Sequence, residues 1–194
     1  MTDNNLNHEE NEIALALGRC LLSWSNVEMY LCLLFEEILE APPGRAFMIF
    51  DSVISFEAKL KTVDTVFTYI IQDETLLAVW GKLFKRISKK SRLRSEIAHA
   101  STGNENGGKI VLVPYYSFIK LRKGLSPADI NQRKASFEEL IQAIRWLHLQ
   151  VRLQKNKLVT VKLQTPDLIR RWLDQIDQTD AENKQPAPPS TGES

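Results

Sequence analysis

Ala14, Leu17, Leu21, Trp24, Glu28, Leu31, Phe35 and Ile38 recur at spacings of 3, 4, 3, 4, 3, 4 and 3. That rhythm puts eight side chains on one stripe of a helix and predicts a single long helix from Glu9 to Glu40, packed on others. Seven of the eight are apolar; Glu28 is the exception. Unpaired burial of a carboxylate is costly. Glu28 therefore either lies at the edge of the stripe in water or meets Arg94 or His99. Pro42-Pro43-Gly44 ends the helix.

The rest of the chain is mainly helical in pattern. A short helix is predicted over Arg45–Val53, and another from Phe56 to about Ile71 behind Ser55 as its N-cap. Asp73 caps a long fourth helix, from about Glu74 to Ser101. On it Trp80, Phe84, Ile87, Ser91, Arg94 and Ala98 continue one seam, while Leu93, Ile97 and Ala100 form a second, rotated strip. The helix either bends near Ser88 to Arg92 or packs on two sides. Lys82, Lys85, Arg86, Lys89 and Lys90 cover the remaining face. Such a basic face is usually solvated, and it is also a place where a phosphate backbone can run, with Lys85, Lys89 and Lys90 as the contacts.

Thr102 to Gly108 is turn-rich. Lys109–Leu121 is the one β-like stretch and predicts a small hairpin. Pro114 restricts it to an edge strand or a break. Ser126-Pro127-Ala128-Asp129 starts a final long helix, running to about Lys157 with an interruption near Lys134 to Ser136. Leu158–Gln164 is a strand or an extended connector. Four segments follow: a flexible N-terminus (1–8), a helical bundle (9–164), a short amphipathic helix (165–176) and a disordered, Pro- and Ser-rich tail (177–194). The fold class is all-α, an up-and-down bundle with a small β-hairpin insertion near 109–121.

A chain of 194 residues with 43% apolar content supports one packed core. Its net charge of +1 argues against a coat that adheres broadly to nucleic acid. No apolar run approaches the ~18 residues that span a bilayer, and the start is polar, so a cytoplasmic location without membrane attachment is expected. Cys20 and Cys32 read as reduced core thiols. His8, His99 and His148 lack metal-ligand spacing, and no nucleotide or nucleophile fingerprint is present. No cofactor or metal is expected.

Arg94 and His99 are the residues with chemistry to offer. Residues five apart on a helix differ by ~140° in direction and ~7.5 Å in height. Ser95 and Ala98 lie between them and make a shallow floor. An imidazole can move a proton near neutral pH, and an arginine fork can hold charge developing on a phosphoryl group. Together they suit RNA cleavage by its own 2′-hydroxyl, which DNA lacks. The same spacing also arises by chance in helical proteins.

Leu93-Arg94-Ser95-Glu96-Ile97-Ala98-His99 resembles the Arg-x(4–6)-His motif of HEPN-domain proteins, often written Arg-Asn-x-Ile-Ala-His. The long first helix with Trp24 and Glu28 is similar to that of many bacterial members. The resemblance covers roughly Glu9 to Lys157 as an order of helices, and only the motif is specific. It implies an up-and-down bundle and a homodimer that brings two motifs together. It further implies metal-independent endoribonuclease activity on RNA in toxin–antitoxin or antiphage systems, with a cognate antitoxin or defence protein as partner. Arg94 and His99 would be the catalytic pair, supported by Ser95 and Glu28. Ser95 stands where Asn is common. Ser101 stands where one branch has a Tyr that its antitoxin modifies, so that modification is not expected. The alternative is a catalytically inactive bundle that acts as a binding or assembly module, with Arg94 and Glu28 as a structural ion pair. An unrelated helical adaptor is the third reading.

Overall fold

The computed structural model describes residues 3–42, 44–104, 110–114, 124–156 and 165–174. Six helices and one hairpin follow in chain order among them: α1 (Asp3–Leu39), α2 (Arg45–Ser52), α3 (Phe56–Ile70), α4 (Glu74–Ala98), β1 (Ala100–Asn104), β2 (Ile110–Pro114), α5 (Pro127–Lys155) and α6 (167–174). The chain is an all-α bundle carrying a small antiparallel hairpin.

The helix starts are set by local chemistry. Ser55 accepts from the Ala58 amide at 3.1 Å, and Asp73 from the Leu76 amide at 2.9 Å. At α5, Ser126 and Asp129 cap each other reciprocally, with Pro127 in the first turn. α1 ends through Glu40, which adopts φ 52°, so that the Ala41 amide reaches back to the Glu36 carbonyl. Lys155 donates to the Glu37 and Ile38 carbonyls at 2.7 and 2.8 Å, in the last turn of α1 where intrahelical donors run out. Gly44 then takes φ 83° ahead of α2.

α1 packs chiefly along α5. Trp24 sits at the centre, edge-on to Phe56 of α3 and Phe137 of α5 at 4.8 and 5.0 Å. Phe67 of α3 stacks on Trp80 of α4 at 4.9 Å, and the Trp80 indole donates to Asp64 at 2.8 Å. β2 pairs with β1 in the register Thr102↔Leu112 and puts Ile110 and Leu112 into the core. Gly124 lies so close to β2 that a β-carbon there would come within 2.3 Å of Val111 Cγ2. α6 buries Leu168, Ile169 and Trp172 against the bundle, and Lys82 donates to the Trp172 carbonyl. Cys20 and Cys32 are buried free thiols, and burial pushes both above the usual thiol range.

Several expectations need correction. Residues 3–8, expected to be a flexible N-terminus, belong to α1. In the N-terminal half of α1 the buried residues are Ile13, Ala16 and Cys20. Ala14 is exposed, and Leu17 and Leu21 are only partly buried. The helix is flanked on two sides, so its inner face is broader than one seam and rotated from it. α4 runs unbroken to Ala98. β1 starts two residues after Ala98, inside what reads as helix end and loop. α5 has no interruption near Lys134 to Ser136. The expected hairpin residues 115–121, the connector 158–164 and the tail lie outside the described residues.

Candidate functional site

The motif occupies the last turns of α4, alongside α5. Arg133 of α5 holds it there, donating to the Leu93 carbonyl at 3.3 Å and pairing with Glu96 at 3.2 Å. Ile97 is buried and fixes the rotation of the last turn. Arg94 and Ser95 are thereby turned toward the start of α3, while His99 comes at the very end of the helix.

A cavity of about 210 Å³ opens there, lined by Trp24, Phe56, Glu57, Ser91, Arg92, Arg94 and Ser95. Ser91 and Ser95 are one helical turn apart and form its hydroxyl-bearing floor. Arg94 is half-buried, and its Nε is shielded from solvent with no hydrogen-bond partner among the described residues. No ion pair to Arg94 is seen among those residues either. A guanidinium presents five donors and cannot shed its charge. The chemistry of the cavity is thus that of an acceptor for an anion, with Arg92 as a second cation at the rim and Glu57 as a carboxylate across from them.

Glu28 does not reach Arg94 or His99. Its Oε1 accepts the Trp24 indole N–H at 2.8 Å, so it is half-buried at the stripe's edge with a partner one turn away. Its role is to position Trp24, whose ring is a wall of the Arg94 cavity. The ion pair to Arg94 required by the assembly-module reading is not made.

His99 is exposed and caps α4, its own amide donating to the Ser95 carbonyl at 3.2 Å. It does not line the cavity that Arg94 lines. The pair flanks the end of α4, as its spacing requires.

The basic face divides. Arg86 pairs with Glu139 at 2.7 Å and Lys82 is held at α6. Lys90 is half-buried, and that burial, with Arg86 beside it, pushes its ammonium below the usual range. Lys85 and Lys89 remain exposed. They lie about 120° and 160° around α4 from Ser91 and about 180° and 140° from Arg94, so they do not stand beside that guanidinium, although Arg92 at the rim is on their side. Ser91, Arg92 and Glu57 were not singled out from the sequence. Ser91 stands four residues before Ser95, a signal that was there to read. Glu57 enters only through the packing of α3, which has no local signature.

A cavity of about 620 Å³ lies where α1 and α5 end, and its polar side chains are paired: His148 Nε2 stands 3.4 Å from Glu37, and Lys155 pairs with Glu40 at 2.9 Å. No group of three His, Cys, Asp or Glu side chains suited to a metal ion occurs among the described residues, and none of their helices is long and apolar enough to cross a membrane. The chain matches no family model, no curated protein and no solved structure.

Proposed function

We propose that this chain is a metal-independent endoribonuclease of HEPN type, acting in the cytoplasm as a toxin or antiphage effector under the control of a cognate partner protein. The observation that carries the proposal is Arg94: a fixed positive charge in a cavity floored by hydroxyls, with no carboxylate holding it. An RNA phosphate matches that vacancy in charge and in hydrogen-bonding capacity. The 2′-oxygen attacks the adjacent phosphorus and the bond from phosphorus to the 5′-oxygen breaks, leaving a 2′,3′-cyclic phosphate and a free 5′-hydroxyl. One proton leaves the 2′-hydroxyl and one arrives at the departing oxygen. His99, exposed at the end of the same helix, serves one of these transfers. Arg94 holds the charge on the equatorial oxygens.

The test is purified full chain with end-labelled RNA, wild type beside Arg94→Ala and His99→Ala. Cleavage that continues in chelator and falls at least about a hundredfold in both variants supports the reading. Identical background in all three overturns it. A second reading, an inactive bundle serving as an assembly module, is favoured by the apolar side chains exposed along α1 and α2.

A further inference from the structure

We infer that Glu57 makes the Arg94 cavity selective for guanine. The inference rests on the reading of that cavity as the seat of an RNA phosphate and adds the base attached to it. Glu57 stands in the first turn of α3, directly after Phe56, and both line the cavity together with Arg92 and Arg94 of α4. An acid in a first turn suits the helix dipole, and a surface glutamate ordinarily leans on a lysine one turn on. Lys61 stands at that position, but no ion pair joins the two, and no hydrogen bond holds the Glu57 carboxylate among the described residues. Nor does Glu57 pair with either guanidinium. The cavity therefore holds two cations from α4 and one carboxylate from α3 that do not meet. A ligand that joins the two sides needs an anion at one end and hydrogen-bond donors at the other.

A nucleotide of a single strand has that form. Its phosphate is the anion, and its base is a flat ring that packs on an aromatic side chain. Phe56 is partly exposed and is braced edge-on by Trp24 at 4.8 Å. At about 210 Å³ the cavity falls below the ~300–1,000 Å³ that encloses a whole drug-sized ligand, so it takes one base and leaves sugar and phosphate at the mouth. The choice of base follows from Glu57. A carboxylate only accepts hydrogen bonds. Guanine presents N1–H and N2–H side by side and gives one to each oxygen. Adenine and cytosine set their one donor group beside a ring nitrogen that is itself an acceptor. Uracil flanks its single N–H with two carbonyls. With these three bases one carboxylate oxygen is opposed by lone pairs, and with guanine both oxygens are met.

The test is binding of the full chain to fluorescent DNA tetranucleotides of thymine in which the second base is guanine, adenine, cytosine or thymine, read by anisotropy at low salt. These strands lack the 2′-hydroxyl, so binding is read apart from cleavage. The guanine strand should bind at least about tenfold more tightly than the other three. Glu57→Gln should abolish that preference and move it toward adenine, because a glutamine carbonyl accepts from adenine N6–H while its amide donates to N1. A purely structural role for Glu57 in the first turn of α3 would leave the order of the four bases unchanged. Arg94→Ala should weaken all four strands alike. Equal affinity for the four strands, or a guanine preference that survives in Glu57→Gln, overturns the inference and leaves the phosphate site standing. Binding of no strand, or binding indifferent to Arg94→Ala, overturns the phosphate site and the inference with it.

Discussion

At the level of single residues, Arg94 combines a buried Nε without an acceptor, a feature it shares with Arg86 and Trp146, with the lack of any ion pair among the described residues. A buried donor with no acceptor costs about 1–3 kcal/mol, and a chain keeps such a group where something other than stability is served. If Arg94 were half of a structural ion pair, its removal would strand a charge and cost about 3 kcal/mol or more. No such partner is seen among the described residues. Arg94→Met keeps most of the aliphatic stem and deletes the orphaned donor. Its unfolding free energy, measured in urea, should therefore equal the wild-type value or exceed it by about 1 kcal/mol. A loss of about 3 kcal/mol would show that the guanidinium is held by the fold. Glu28 shows what was and was not legible at this scale. Its place on an apolar stripe announced that it needs a partner. The partner is the indole four residues back, and nothing in the spacing favoured a neighbour on its own helix over a cation on another.

At the level of elements, the chemistry that acts within one turn was plain in the sequence. Ser55, Asp73 and Ser126 each cap the helix they precede, and Pro42 marks where α1 stops. These effects depend on side chains three or four residues away. β1 was hidden for the opposite reason. Ala100-Ser-Thr-Gly-Asn104 has little intrinsic preference for a strand, and it becomes one because β2 supplies a ladder and the core receives Leu112. The phase of α1 was read a residue off in its first half, because two flanking helices define a wider face than one seam does. The end of α1 gives a direct test. Glu40 adopts the left-handed region, which costs a side-chain-bearing residue about 1 kcal/mol and glycine almost nothing. Its carboxylate is largely exposed on Lys155, and Lys155 is independently anchored by two carbonyls. Glu40→Gly should raise stability by about 0.5–1 kcal/mol in thermal or chemical unfolding. A clear loss would mean that the ion pair with Lys155 outweighs the backbone strain.

For the molecule as a whole, a net charge of +1 leaves no general attraction for a polyanion, so any affinity for RNA has to come from where the cations stand. Two arrangements compete. In one, Lys85 and Lys89 draw the strand along the exposed face of α4. In the other, Arg94 and Arg92 take phosphates at the cavity mouth. They separate at Arg94, which lies about 180° and 140° around the helix from Lys85 and Lys89, whereas Arg92 stands on the lysines' side. Single-strand binding releases counterions in proportion to phosphates neutralised, with a slope of about −0.7 per contact in log affinity against log salt. Two contacts at the cavity predict a slope of about −1.4 for the wild type, measured by anisotropy of a fluorescent single strand in chelator. Arg94→Ala should bring it to about −0.7, while Lys85→Ala combined with Lys89→Ala should leave it unchanged. The reverse outcome, a slope lost with the lysines and kept without Arg94, would move the RNA path to the exposed face. It would also remove the guanidinium from any part in holding the scissile phosphate.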